Sequence, residues 1–165
     1  MNLSRLRKLV LLVLVPLVFG VSQSAEGGFK EGWDAYDRND YATALKEWKT
    51  LAGQGNATAQ YSLAVMYDKG QGVPQDYKTA VKWYTLAAKQ GKASAQYNLG
   101  LMYAKGQGVP QGYIYAHMWF DIAASSGNKD ALKNRDIVAK RMTPSQLEKA
   151  QDLARECVRK KYKGC

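Results

Sequence analysis

Apolar residues along this chain fall at helical intervals. Ala59, Leu63, Tyr67 and Gly70 recur at i, i+4, i+8 and i+11, which places them on one helical face. Ala80, Trp83, Tyr84, Ala87 and Ala88 form a second such face one segment later. Between the two lie Gly70, Gly72 and Pro74. A glycine tolerates the left-handed backbone just past a helix end, and Pro74 cannot continue the first helix. Asp76 is placed to cap the second helix, and Gly91 closes it. The pattern predicts two helices joined by a glycine-containing bend.

The same pattern returns 36 residues later. Residues 57–92 align with 93–128 without a gap, and twenty of the 36 positions are identical. The bend "KGQGVPQ" is copied unchanged at 69–75 and 105–111. A fixed period of this length marks a stacked repeat array. Upstream, "NDYATALKEWKTLAGQGN" (39–56) matches the second half of the unit through Asp40, Tyr41, Ala44, Ala52 and Gly55. The helix before it, about Phe29 to Asp37, lacks the GxGVP bend, so 26–56 reads as a degenerate repeat. Downstream, a helix from about Lys129 to Arg141 precedes "MTPSQLEKAQDLARECVRK". There Thr143 is an N-cap, Pro144 the first helical residue, and Gln146 completes a capping box. That last helix, about Pro144 to Lys160, has Leu147, Ala150, Leu153, Ala154 and Cys157 on one side. Residues 129–165 therefore read as the helical cap that a stacked array needs at its end.

A unit with Ala, Gln-Tyr, Met-Tyr, Gly-x-Gly-Val, Trp-Tyr and Ala-Ala at these positions resembles the Sel-one-like repeat, a relative of the tetratricopeptide repeat. The resemblance is close over 57–128 and partial over 29–56, and "RMTPSQLEKAQDLA" is similar to the closing segment of many bacterial secreted members. Gly112 replaces the unit's aspartate, and Ala64 its first-helix glycine. The resemblance implies an all-α, right-handed solenoid with a C-terminal capping helix. It implies a scaffold or adaptor for protein–protein interaction, with no reaction of its own, holding a peptide or helix on the concave face that the first helices line. On those helices, Thr58, Ser62, Val65 and Lys69, with Ser94, Asn98, Leu101 and Lys105, lie away from the apolar stripe and as a set vary between copies more than the core does, Lys69 and Lys105 being alike. These eight are the candidate partner-binding positions; ordinary solvent-facing positions are the plainer alternative.

The N terminus has a different pattern. Arg5, Arg7 and Lys8 precede an apolar run, Leu9–Val21, of about 13 residues, followed by small polar ones. This is the layout of a secretory signal peptide, here residues 1–25, and it is shorter than the roughly 20 residues of a membrane span. Export to the periplasm or beyond is the expectation, and a permanent anchor the alternative. The formal charge of +10 is also uneven: residues 129–165 alone contribute +6. That surplus suits either a solvated cap or an acidic partner, such as anionic lipid or an envelope polymer. Export disfavours nucleic acid as a partner.

The two cysteines, Cys157 and Cys165, favour a disulfide in an oxidising compartment. Eight helical residues would set them roughly 12 Å apart, beyond the roughly 7 Å a bridge allows. Pairing thus requires the helix to stop soon after Arg159 and Gly164 to help the tail turn back. Free thiols or a bridge to another chain are the alternatives.

Catalytic groups are sparse, and neither a catalytic residue, a cofactor nor a metal is expected. "KGQGVP" matches neither a P-loop nor a dinucleotide fingerprint. His117, the only histidine, takes the place of Val81 in the second copy. Without a second histidine or a nearby nucleophile no triad can be drawn. A cell-wall-related enzyme of β-lactamase type is the alternative class, since cysteine-rich members of the family are so described. Those carry a cysteine pair in each repeat; this chain has none there.

Overall fold

Short side chains that can accept from free backbone N–H groups set most helix starts, in the computed structural model, which describes residues 27–165. The expected signal peptide lies outside the described residues. Helix α1 covers 27–37 and α2 Tyr41–Gly53, capped by Asp40 through Thr43 N. Helix α3, Ala57–Lys69, is capped by Asn56, and α4, Tyr77–Ala88, by Asp76, which accepts from both Lys78 N and Thr79 N. The second copy forms α5, Ala93–Lys105, and α6, Tyr113–Ser125, whose caps Lys92 and Gly112 supply no side-chain bond. Helix α7, Lys129–Ala139, has Asn128 as its cap, and α8, Pro144–Arg159, has the full Thr143–Gln146 capping box.

The copied bend folds identically twice. Gly70 and Gly106 are left-handed, each with φ of 69°. The next residue closes the turn, Gln71 N donating to Met66 O and Gln107 N to Met102 O. The third glutamine in each copy satisfies a carbonyl of the helix end: Gln75 Nε2 donates to Asp68 O and Gln111 Nε2 to Ala104 O, at 2.7 and 2.8 Å. The second glycine does something else. A Cβ on Gly72 would lie 2.6 Å from Tyr41 Cβ, and one on Gly108 would collide with the Tyr77 carbonyl. Each bend is therefore seated on the start of the preceding unit's second helix.

Buried glutamines make a second joint between units. Gln60 Nε2 donates to Ala52 O and Gln96 Nε2 to Ala88 O, both at 3.1 Å, so each first helix is tied to the carboxyl end of the helix before it. Around these joints α2 through α7 pack each against the next. Ala64, Ala80, Tyr84, Leu99, Trp119 and Ile122 fill the space between units, while Trp48, Leu63 and Met66 form the core of the first pairs. The result is an all-α solenoid, with no strand among the described residues.

Helix α7 takes the place of a further first helix, packing on α6. Helix α8 does not extend the stack: it folds back against α6, with Ala154 and Cys157 joining the core around Tyr84 and Trp119. It ends at Arg159, and left-handed backbone at Lys161, Tyr162 and Gly164 returns the tail. Cys157 and Cys165 then form a disulfide with their Cα atoms 5.5 Å apart. Tyr162 is set against the α4–α5 turn, 3.2 Å from where a Gly91 Cβ would be.

Candidate functional site

Packing between consecutive units leaves an apolar depression on the first-helix side. Helix α1 carries Phe29, Trp33 and Tyr36 at i, i+4 and i+7, so one face of it is aromatic. Trp48 of α2, 1% exposed, supports that face: its ring centroid lies 6.1 Å from Phe29, 6.4 Å from Trp33 and 5.3 Å from Tyr36. Trp33 itself is 49% exposed, because no other element among the described residues covers its outer side. The aromatic wall faces α3, and two adjoining clefts run between them. The larger, about 480 Å³, is lined by Phe29, Lys30, Trp33, Thr58, Tyr61, Ser62, Lys92 and Ser94. The smaller, about 260 Å³, continues along Trp33, Tyr36, Trp48, Tyr61, Ser62, Val65 and Lys69.

Five of the eight positions expected from sequence thus converge on this groove: Thr58, Ser62, Val65, Lys69 and Ser94. Ser62 is only 6% exposed and sits at its base. The other three are used differently. Asn98 donates through Nδ2 to Tyr84 Oη at 3.0 Å. Leu101 packs against the cluster of Phe120, Ala131 and Val138 under α7, and Lys105 is exposed at the end of α5. The aromatic wall of α1 was not among the expected positions. Its signal was present in the i, i+4, i+7 spacing, but the degenerate unit offers no intact copy to compare it with.

Beside the groove, Tyr84 reaches from α4 between two first helices. Its hydroxyl donates to Asp68 Oδ2 at 3.2 Å while accepting from Asn98. Burial, and then the nearby Asp68 carboxylate, push its pKa far above the ordinary phenol value, so it stays a neutral donor. Burial likewise raises Tyr61, whose ring lies 5.9 Å from that of Tyr84.

The groove lining has hydroxyls at Tyr36, Thr58, Tyr61, Ser62 and Ser94 but, among the described residues, no imidazole, thiol or carboxylate. His117 lies elsewhere, on α6, 3% exposed, with Nδ1 lacking a hydrogen-bond partner among the described residues. Burial lowers its pKa, opposed by Asp121 and Asp136. Arg135 holds both of those carboxylates at 2.9 Å. Among the described residues no group of three His, Cys, Asp or Glu is placed to hold a metal ion.

Comparison with known proteins agrees with this architecture. The family model described as Sel1 repeat matches residues 57–92 and 93–128. No curated protein matches the chain. Among solved structures, a protective antigen present in uropathogenic Escherichia coli strains, displaying an SLR fold, superposes with a TM-score of 0.79. It is 29% identical over 84% of this chain and 31% of its own. A Sel1 repeat protein from Oxalobacter formigenes superposes with a TM-score of 0.64, at 31% identity, over 76% of this chain and 54% of its own. The chain thus spans about a third and about half of those two relatives. Cysteine rich protein B of Helicobacter pylori has a TM-score of 0.53 at 17% identity, over 68% of this chain and 96% of its own, which shows the shared fold alone.

Proposed function

Since residues 57–128 are two Sel1 repeats, we propose that the chain is an exported scaffold or adaptor that holds a segment of a partner protein in the groove between α1, α3 and the start of α5. Sel1 repeats generally serve protein–protein interaction, and the first helices line the concave side of such arrays. One observation carries the reading. Trp33, an aromatic residue half-exposed on a packed aromatic wall, borders a groove to which five of the eight candidate positions also contribute. Rigid aromatic anchors bordered by small hydroxyl side chains are what a peptide groove needs: large contact area at low entropic cost. The disulfide and the basic-then-apolar N-terminal segment support an oxidising, extracytoplasmic location. A relative described as a protective antigen fits the same location.

Photo-crosslinking in cells tests the reading. A benzophenone side chain at Val65 or Ser94 should give a discrete protein adduct that Trp33→Ala abolishes. Adducts as strong from Leu86, on the second-helix side, or none from the groove, would overturn it.

A further inference from the structure

The charges around this groove are one-sided. Every charged side chain that lines it is a lysine: Lys30, Lys69 and Lys92. Lys30 is paired with Asp34, whereas Lys69 and Lys92 make no ion pair among the described residues. Lys92 Nζ donates to Thr58 Oγ1 at 3.3 Å, which holds its ammonium at the amino end of α3. Lys69 stands at the carboxyl end of the same helix. Thr58 and Lys69 are eleven residues apart, a rise of about 16 Å along α3 at 1.5 Å per helical residue, so the two unpaired lysines stand at opposite ends of that helix. An extended chain covers about 16 Å in five residues. The aromatic wall lies between the two cations.

From this arrangement we propose that the groove takes an extended acidic peptide segment: two carboxylates about five residues apart, with one bulky apolar side chain between them. The apolar residue enters the larger cleft against Trp33 and Tyr61, and the carboxylates pair with Lys92 and Lys69. A basic segment would set like charge against both lysines. The proposal rests on the groove being the partner site and adds the chemistry of what it binds.

Fluorescence polarisation with labelled synthetic octapeptides tests it on the secreted form of the protein. The probe has aspartates five residues apart around a central tryptophan, in a glycine–serine background. Two companions replace the aspartates by lysines, or the tryptophan by serine. The acidic tryptophan peptide should bind at least tenfold tighter than either companion, and more weakly as salt rises. Lys69→Glu with Lys92→Glu should reverse the preference between acidic and basic peptides. Both side chains reach solvent, so folding should survive, checked by an unchanged helical circular dichroism spectrum. Equal binding of the acidic and basic peptides, or affinities unmoved by the double reversal, overturns the proposal. So does the absence of saturable binding by the acidic peptide. Groove crosslinks in cells together with equal peptide binding would refute the acidic chemistry alone; no groove crosslinks would refute the site as well.

Discussion

Replacing Gly108 by alanine should damage the joint between units far more than it damages the turn itself. Gly108 has φ of 72°, a conformation costing a residue with a Cβ about 1–2 kcal/mol. Alanine recovers roughly 0.4–1 kcal/mol of that through its less flexible unfolded chain. The remainder is steric. The new Cβ would stand 2.5 Å from the Tyr77 carbonyl carbon and 2.9 Å from Lys78 N. Both atoms are backbone, in the first turn of α4, and no rotamer change relieves them. Overpacking of that kind adds roughly 1–3 kcal/mol, for a total of about 3 kcal/mol. Gly127 is the control: its φ is 88° and nothing lies within 4 Å of its Cβ position, so alanine there carries only the strain, about 1 kcal/mol net. Urea unfolding followed by circular dichroism should separate the two variants by about 2 kcal/mol. Equal losses from Gly108→Ala and Gly127→Ala would show that the bend is not seated on the preceding unit as described.

Three further expectations are independent of that joint. Gly112→Asp should stabilise the chain by a few tenths to about 1 kcal/mol, because Gly112 already has the extended backbone of Asp76 and its α6 N–H groups lack a side-chain cap; a lower midpoint in thermal melts would contradict this. Reducing the disulfide, or Cys157→Ser with Cys165→Ser, should cost about 2.5 kcal/mol by loop entropy for a ring eight residues apart, read as a matching fall in the urea midpoint. For His117 the folded pKa is depressed, so its contribution is complete above the unfolded value near 6.5 and is lost as pH falls through the lower folded value. Unfolding free energy should therefore decline below about pH 6.5, before the carboxylates titrate, and His117→Leu should flatten that decline; an unchanged slope would place the pH dependence elsewhere.

The repeat could be read from sequence because each unit is compared with its own copy. The left-handed Gly70 and Gly106 and the caps at Asp76 and Thr143 follow from local backbone rules, the stop after Arg159 follows from the reach of a Cys157–Cys165 bridge, and the three helices given bounds, α1, α7 and α8, begin and end within two residues of expectation. What was not legible depends on neighbours distant in sequence. The stripe of Ala150, Ala154 and Cys157 specifies that α8 is buried, not that it folds back on α6. Asn98 and Leu101 have the same register as groove residues of the first copy, yet Tyr84 engages one and the α7 cluster the other. The aromatic wall of α1 borders the groove because Trp48 stacks behind it and, among the described residues, nothing stacks in front.

Each unit carries both halves of the joint by which it docks. Gly108 and Gln96 fit onto the Tyr77 and Ala88 carbonyls just as Gly72 and Gln60 fit onto Tyr41 and the Ala52 carbonyl. A stretch of 36 residues duplicated in register, between Lys92 and Ala93, would bring a matching face for each neighbour and need no compensating change. The number of units is in that sense a free parameter of the gene, which accords with relatives longer than this chain, of which it spans about a third and about half. Propagation stops where the joint is missing: Leu132, 43% exposed, occupies the place of Gln60 and Gln96, and α8 turns back over α6.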